Sequence, residues 1–362
     1  MSDPSRSFQQ AAWRRLRRNK GAVVGLVLII LATITAAAAY FIAPDSSPYA
    51  NRIILEIGGR KPGFTQAFLK VIREKTSGQS NFFQHLLYGK EDDYLYVPIS
   101  SYEKKADSLI VQKYIDEGLY ERQTYLLSTL APEPVTSTTF LLGTDKYGRD
   151  ILSRLIVGTR VSLSVGLVTA IISLAIGILF GSLAGYYGGK TDNLVTWFIN
   201  VIWSIPTLLL VFAITLVLGK GFWQVFIAVG LTMWVNVARL VRGQVLSVRE
   251  MEYVEAARAL GFSDFRTIFR HILPNIMGPV IVLAASNFAS AILIEAGLSF
   301  LGVGVQPPQP SWGLMIKENY NFIITQNPML ALAPGFAIML LVLAFNLLGN
   351  GLRDALNVRD RF

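Results

Sequence analysis

Six stretches of this chain are each long and apolar enough to cross a bilayer, and no other feature limits its fold so severely. They cover residues 21–43, 161–186, 193–218, 221–238, 275–305 and 328–352. A hydrocarbon core about 30 Å thick takes roughly 20 apolar residues in a helix. The second, third and sixth stretches hold no charge, the fifth holds only Glu295, and the fourth ends against Arg239. Helices that are apolar all round offer no polar face to water, so six of them cannot be covered in a soluble globule. Only 16% of the 362 residues are charged, against about a quarter in soluble domains. The expected fold is an all-α polytopic membrane protein with six transmembrane helices.

The distribution of basic residues predicts the orientation. Residues 1–20 carry Arg6, Arg14, Arg15, Arg17, Arg18 and Lys20 against Asp3, and such residues stay on the cytoplasmic side. Six crossings then return the tail, 353–362 with Arg353, Arg359 and Arg361, to the same side. The connection between spans four and five is cytoplasmic on this scheme and holds six arginines. Residues 44–158, on the outer side, hold 14 basic and 14 acidic residues. The net charge of +9 is thus a property of the cytoplasmic face, and no nucleic-acid partner is expected. The AAAA at 36–39 resembles a signal-peptide cleavage region. The preceding apolar run is longer than the roughly 7–15 residues of a signal core, so the first helix is expected to stay.

Chemistry on the chain itself is not expected. There is no cysteine, and the two histidines, His85 and His271, fall on opposite sides of the membrane. Neither a catalytic nor a metal site is predicted, and no cofactor is expected to bind. The stretch AGYYGGKT at 184–191 imitates a phosphate loop, but Ala184 stands where glycine is needed and a membrane helix precedes it instead of a β-strand. Gly177, Gly181 and Gly185, at four-residue spacing, read as a close helix-packing face.

The most informative segment is VREMEYVEAARALGFSDFRTIFRHILPN, residues 248–275. Residues 251–260 predict a short helix with acidic residues at its positive end, ended by Gly261 in a left-handed cap. Ser263 predicts the cap of a second helix, 264–273, closed by Pro274. This is either a rigid docking element, with Ala256 and Ala257 allowing close approach to another protein, or an amphipathic connector on the membrane. Within the spans, Asn200, Pro206, Asn287 and Glu295 are the candidates for pathway or gating roles. Pro206 is expected to kink span three. Glu295 either contacts cargo or a gate, or pins the outer end of span five. In the outer segment, Phe64, Phe68, Val71 and Ile72 predict one helical stripe, and YLYVPIS at 94–100 predicts a strand.

Glu255, Ala256, Ala257, Gly261, Leu273 and Pro274 fall on the E-A-A-x-x-x-G pattern and its following L-P. With LLGTDKYGRDILSRLIVGTR at 141–160, GYYGGKTD at 185–192 and LSFLGVGVQPPQPSWG at 298–313, the chain resembles the membrane subunits of binding-protein-dependent ATP-binding-cassette importers. R-H-I-L-P-N resembles the oligopeptide, dipeptide and nickel branch, and the C-type permease of the pair. The resemblance implies a cytoplasmic coupling loop at about 239–275, within a transmembrane core 159–352, that docks on a separate ATPase through those six residues. It also implies a second permease subunit in a heterodimer, two ATPase subunits that bind ATP and Mg, and an extracytoplasmic solute-binding protein. The implied location is the bacterial cytoplasmic membrane, with both termini inside. The implied cargo is short peptides, or alternatively nickel or another small solute. A secondary transporter or channel working without ATP is the distant alternative; it predicts inverted repeats and several intramembrane carboxylates, and the spans offer Glu295 alone. The segment 44–158 is a departure, expected to be a mixed α/β extracytoplasmic insert between helices one and two.

Overall fold

The structure is a computed structural model that describes residues 8–73, 81–324 and 327–356. Arg6, Arg359 and Arg361, and most of the 353–362 tail, lie outside the described residues. In chain order the elements are α1 (Phe8–Arg18), α2 (Lys20–Ala37), α3 (Ala39–Ile42), β1 (Phe64–Ile72), α4 (Phe82–Tyr88), β2 (Tyr94–Lys105), β3 (Ser108–Asp116), β4 (Leu119–Leu126) and β5 (Leu130–Phe140). They continue with α5 (Ile151–Tyr187), α6 (Gly189–Trp203), α7 (Thr207–Leu218), α8 (Phe222–Val248), α9 (Glu252–Ala259), α10 (Asp264–Thr267), α11 (Leu273–Phe300), α12 (Trp312–Asn319) and α13 (Met329–Leu356). The chain divides into two compact units: Met1–Ala32, Ser162–Gln306 and Ile338–Phe362 form one, and Thr33–Val161 with Pro307–Ala337 the other.

Among the described residues, five helical stretches are long and apolar enough to cross a membrane: α2, α5, α8, Asp264–Phe300 and α13. A sixth exists only if α6 and α7, bent by 91° at their junction, count as one. The expected third span is therefore two helices, a broken span or a re-entrant pair, and not one kinked helix. The break falls at Pro206, whose missing N–H cannot continue the hydrogen-bond ladder of α6. The amides of Ser204 and Ile205 close that helix on Asn200 and Ile202.

The first unit is a helix bundle packed through small residues. A Cβ added to Gly177 or Gly181 of α5 would come within 2.4 Å of Val237 or 2.6 Å of Ala238 O of α8. Only glycine permits that approach, so the expected packing face is real. Val237, Val241 and Val245 of α8 join Ile276 and Val280 of α11 in one apolar core. The helix α8 does not stop with its apolar run at Arg239 but continues to Val248. Its arginines are matched: the Arg242 guanidinium binds both oxygens of Asp192, and Arg239 lies 3.5 Å over the Trp203 ring.

In the second unit, an antiparallel sheet in the order β4-β3-β2-β1-β5 occupies most of the segment between α3 and α5. The expected strand at 94–100 is the first part of β2. The expected helical stripe Phe64, Phe68, Val71, Ile72 is instead strand β1, at the sheet's interior between β2 and β5. A strand covered on both faces loses the alternation that marks it in sequence. Phe68 packs with Ile54, Ile57, Tyr114 and Phe140 on one face, and Leu69 with Val97, Ile99 and Val111 on the other.

The GTDKYGRD turn closes this unit. Asp145 accepts from the amides of Tyr147 and Arg149 and from Arg149 Nε at 2.6 Å. Arg149 Nη2 reaches Glu318 of α12 at 2.8 Å. One turn into α5, Trp312 Nε1 donates to Leu155 O, and a Cβ on Gly158 would meet that indole at 2.9 Å.

Candidate coupling surface

The segment after α8 folds as two short helices joined by a tight corner. Met251 occupies the N-cap of α9, with Glu252 and Glu255 in its first turn, where they complement the helix dipole. At the other end, the Gly261 amide donates to Arg258 O and the Phe262 amide to Ala257 O, the paired bonds of a Schellman cap. This requires the left-handed φ of +77° at Gly261, and nothing lies within 4 Å of where its Cβ would be. Conformation alone therefore selects glycine here. Ser263 Oγ then accepts from the Arg266 amide and caps α10.

Pro274 does not end the following helix as expected. A single π-helical turn over Ile268–Ile272, in which the Leu273 amide reaches back to Ile268 O, places the proline at the start of α11. The wider turn avoids the clash between its ring and the preceding turn, and Asn275 Nδ2 supplies a donor to His271 O at 2.7 Å. The helix runs on from Asp264 to Phe300, which ties the corner mechanically to a membrane span.

The faces of the corner separate cleanly. Val254 is buried in one core with Tyr186, Val245, Ile268, Ile272 and Leu273, and Ala257 of the same helix is buried as well. Ala257, expected at a partner's surface, is thus covered within this chain. Glu255, Ala256 and Gly261 are exposed, as is Pro274, and so are Leu260, Phe265 and Phe269. Phe265 and Phe269 face each other at 4.3 Å. The sequence reading missed these aromatics; their spacing opposite buried Ile268 and Ile272 was the available signal.

Tyr186, in the GYYGGKT stretch, was also missed. Its hydroxyl donates to Asp264 Oδ1 at 2.8 Å, its ring lies 4.7 Å beneath the Arg258 guanidinium, and Arg249 Nη1 donates to Gly185 O. The imitation phosphate loop is a brace for the corner.

The pathway candidates are not brought together. Asn200 Oδ1 accepts from Arg239 Nη2 at 3.3 Å and Pro206 is exposed at the break. A cavity of about 230 Å³ beside it is lined by Trp203, Thr207, Asn236 and Ser290. Asn287 is buried. Glu295 is fully buried; Ser299 Oγ donates to its Oε1 at 2.6 Å and accepts from the Val305 amide at 3.0 Å. That chain of bonds holds the SFLGVGV turn in place.

Residues 177–361 match the family described as binding-protein-dependent transport system inner membrane component. Residues 7–55 match the N-terminal transmembrane domain of oligopeptide transport permease C. The dipeptide transport system permease protein DppC of Bacillus subtilis is 32% identical over 358 residues, covering 99% of this chain and 88% of the relative. The oligopeptide transport system permease protein OppC of the same organism is 39% identical over 70% of this chain and 83% of its own length. The glutathione transport system permease protein GsiD of Pectobacterium atrosepticum is 42% identical over 61% and 73%. The chain therefore belongs to the inner membrane components of binding-protein-dependent transport systems, among relatives that are C-type permeases of oligopeptide and dipeptide systems.

Proposed function

We propose that this chain is one permease subunit of an ATP-driven importer and forms half of the translocation pathway for short peptides handed over by an extracytoplasmic binding protein. The observation that carries this reading is the braced corner at α9 and α10. It projects Glu255, Ala256, Leu260 and Phe265 outward while Val254 fastens it to the bundle. A surface connector needs no such rigidity, whereas an element that passes force from an ATPase to a span does. The names of the relatives support peptides as cargo.

On this reading the chain is not itself an enzyme. Two separate ATPase subunits bind ATP and Mg, and a second, different permease subunit completes the pathway. Glu255, Ala256 and Gly261 form the docking surface, and Ala257, Leu273 and Pro274 position it. The pathway passes the break at Pro206, near Asn200, while Asn287 and Glu295 shape the helix behind it. Both termini lie in the cytoplasm, in keeping with Arg14, Arg15, Arg17 and Arg18 on α1.

The test is Gly261→Asp in the assembled transporter. Aspartate strains the left-handed cap and adds a charge beside the docking face. Peptide uptake is expected to fall to background, with normal insertion and continued ATP hydrolysis that the binding protein no longer stimulates. Unchanged uptake by this variant would sink the coupling assignment. Purification of the chain without any ATPase would sink the importer reading itself.

A further inference from the structure

The short helix α4 lies outside the corner and away in sequence from every pathway candidate. Its sequence is FFQHLLY, and four of its seven residues expose apolar or aromatic side chains: Phe82, Phe83 (72% exposed), Leu87 and Tyr88. A cluster of exposed large apolar groups on a water-facing surface marks an interaction site.

Two contacts inside the same unit fix where this helix lies. Phe82 stacks on Phe41 at 5.6 Å between ring centroids, and the His85 ring approaches Phe41 at 4.7 Å. Phe41 belongs to α3, which follows directly on α2, a span of 18 residues and so about 27 Å long. Phe41 therefore stands at one margin of the hydrocarbon layer. Arg160 Nη1 donates to the carbonyl oxygens of Leu86 and Leu87 at 3.0 and 3.3 Å. Its guanidinium also lies 5.1 Å over Tyr40. Arg160 is the last charge on α5 before the uncharged run that begins at Val161, so it marks the margin for a second span. Both rulers place α4 at one depth.

We infer that α4 is an interfacial anchor that lies in the headgroup region of the bilayer and dips Phe82, Phe83 and Leu87 among the acyl chains. Three features select lipid as the occupant. Phe41, exposed on the extension of the first span, stacks on Phe82 and so joins the apolar surface of that span to the α4 patch. Phenylalanine and leucine suit the acyl boundary, and tyrosine suits the water interface. The four exposed side chains, Phe82, Phe83, Leu87 and Tyr88, carry no charge that would mark a site for a polar protein partner. Arg160 caps the last carbonyls of α4, which a helix at a membrane margin cannot leave unsatisfied.

The test is photo-cross-linking of the full chain, expressed with its partner subunits in native membranes. Phe83→p-benzoylphenylalanine places the probe on the patch, Leu87→p-benzoylphenylalanine repeats it one turn on, and Arg122→p-benzoylphenylalanine on β4 is the water-facing control. After irradiation, peptides bearing position 83 or 87 are expected to carry a phospholipid mass several-fold more often than those bearing position 122. Cross-linking of either patch position to a protein subunit would overturn the inference in favour of a protein partner. Equal lipid labelling at 83 and 122, or no adduct at 83 and 87, would overturn it in favour of a solvated surface.

Discussion

The corner at α9 and α10 and the clasp around Asp145 both hold polar chain against the end of a helix, by opposite means. The corner uses backbone caps, one tyrosine hydroxyl and the inward faces of Val254 and Ala257. Its charged groups, Glu252, Glu255 and Arg258, remain in solvent. The clasp buries its charges: Arg149 and Asp145 are nearly inaccessible, and Glu318 is close to it. Arg154 is fully buried, 3.9 Å from Asp145 and 3.7 Å from Glu318. Taking ions out of water is expensive and becomes tolerable only with all partners in place. The clasp therefore has one acceptable arrangement. The corner, built from weaker and partly hydrated contacts, can shift without stranding a charge.

Removing one member from each brace tests that contrast most severely. Arg149→Ala removes the close ion pairs to buried Asp145 and Glu318, leaves them only the longer contacts to Arg154, and is expected to cost about 3–5 kcal/mol. In purified transporter this reads as a large fall in the thermal midpoint and rapid proteolysis within β1–β5. Tyr186→Phe removes a single hydrogen bond and is expected to cost about 1 kcal/mol, with the main loss in binding-protein-stimulated ATP hydrolysis. Equal destabilisation by the two variants would erase the distinction.

Glycine sharpens the comparison at smaller scale. Gly148, in the clasp, has φ +73°, and a Cβ there would lie 1.7 Å from Ile54 O. Gly261, at the corner, has φ +77° and empty space around it. Gly148→Ala therefore suffers both backbone strain and overlap, about 2–4 kcal/mol. Gly261→Ala suffers strain alone, about 1–2 kcal/mol. Thermal midpoints of the two variants rank them, and a reversed order would show that the close approach to Ile54 yields easily.

What could be read in advance followed the range of the interactions involved. The spans announce themselves through composition, and the corner through local signals: Gly261 past a helix end, Ser263 before the next, small residues at 256 and 257. The break at Pro206 was legible as a kink, but its 91° depends on packing around α6 and α7. Pro274 was misread as a stop because one π-helical turn, set by tertiary fit, absorbs it. The strand β1 was misread as a helix because Phe64, Phe68, Val71 and Ile72 satisfy helical spacing, and a doubly covered strand has no competing alternation. The clasp was invisible in function, although its residues stood out as a motif. Arg149 and Glu318 are 169 positions apart, and nothing local pairs them.

The smallest effect concerns Asp150, which starts α5 beside the clasp but lies outside the Asp145 ion pairs. Its Oδ2 accepts from the Ser153 amide at 2.9 Å, the geometry of a helix cap. Burial raises its carboxyl pKa above the ordinary value, and the bonds from Ser153 offset this only in part. A raised folded-state pKa means that the native protein holds the proton more tightly than the unfolded chain does. The stabilisation is full below the unfolded-state value and is lost as pH rises through the folded-state value. Asparagine is as good a cap and carries no charge to desolvate. Asp150→Asn is therefore expected to melt slightly above the parent at neutral pH, with the gap closing as pH falls into the carboxylate range. A variant that melts below the parent at neutral pH would place Asp150 among the charges the clasp requires, and the boundary drawn here between clasp and cap would move by one residue.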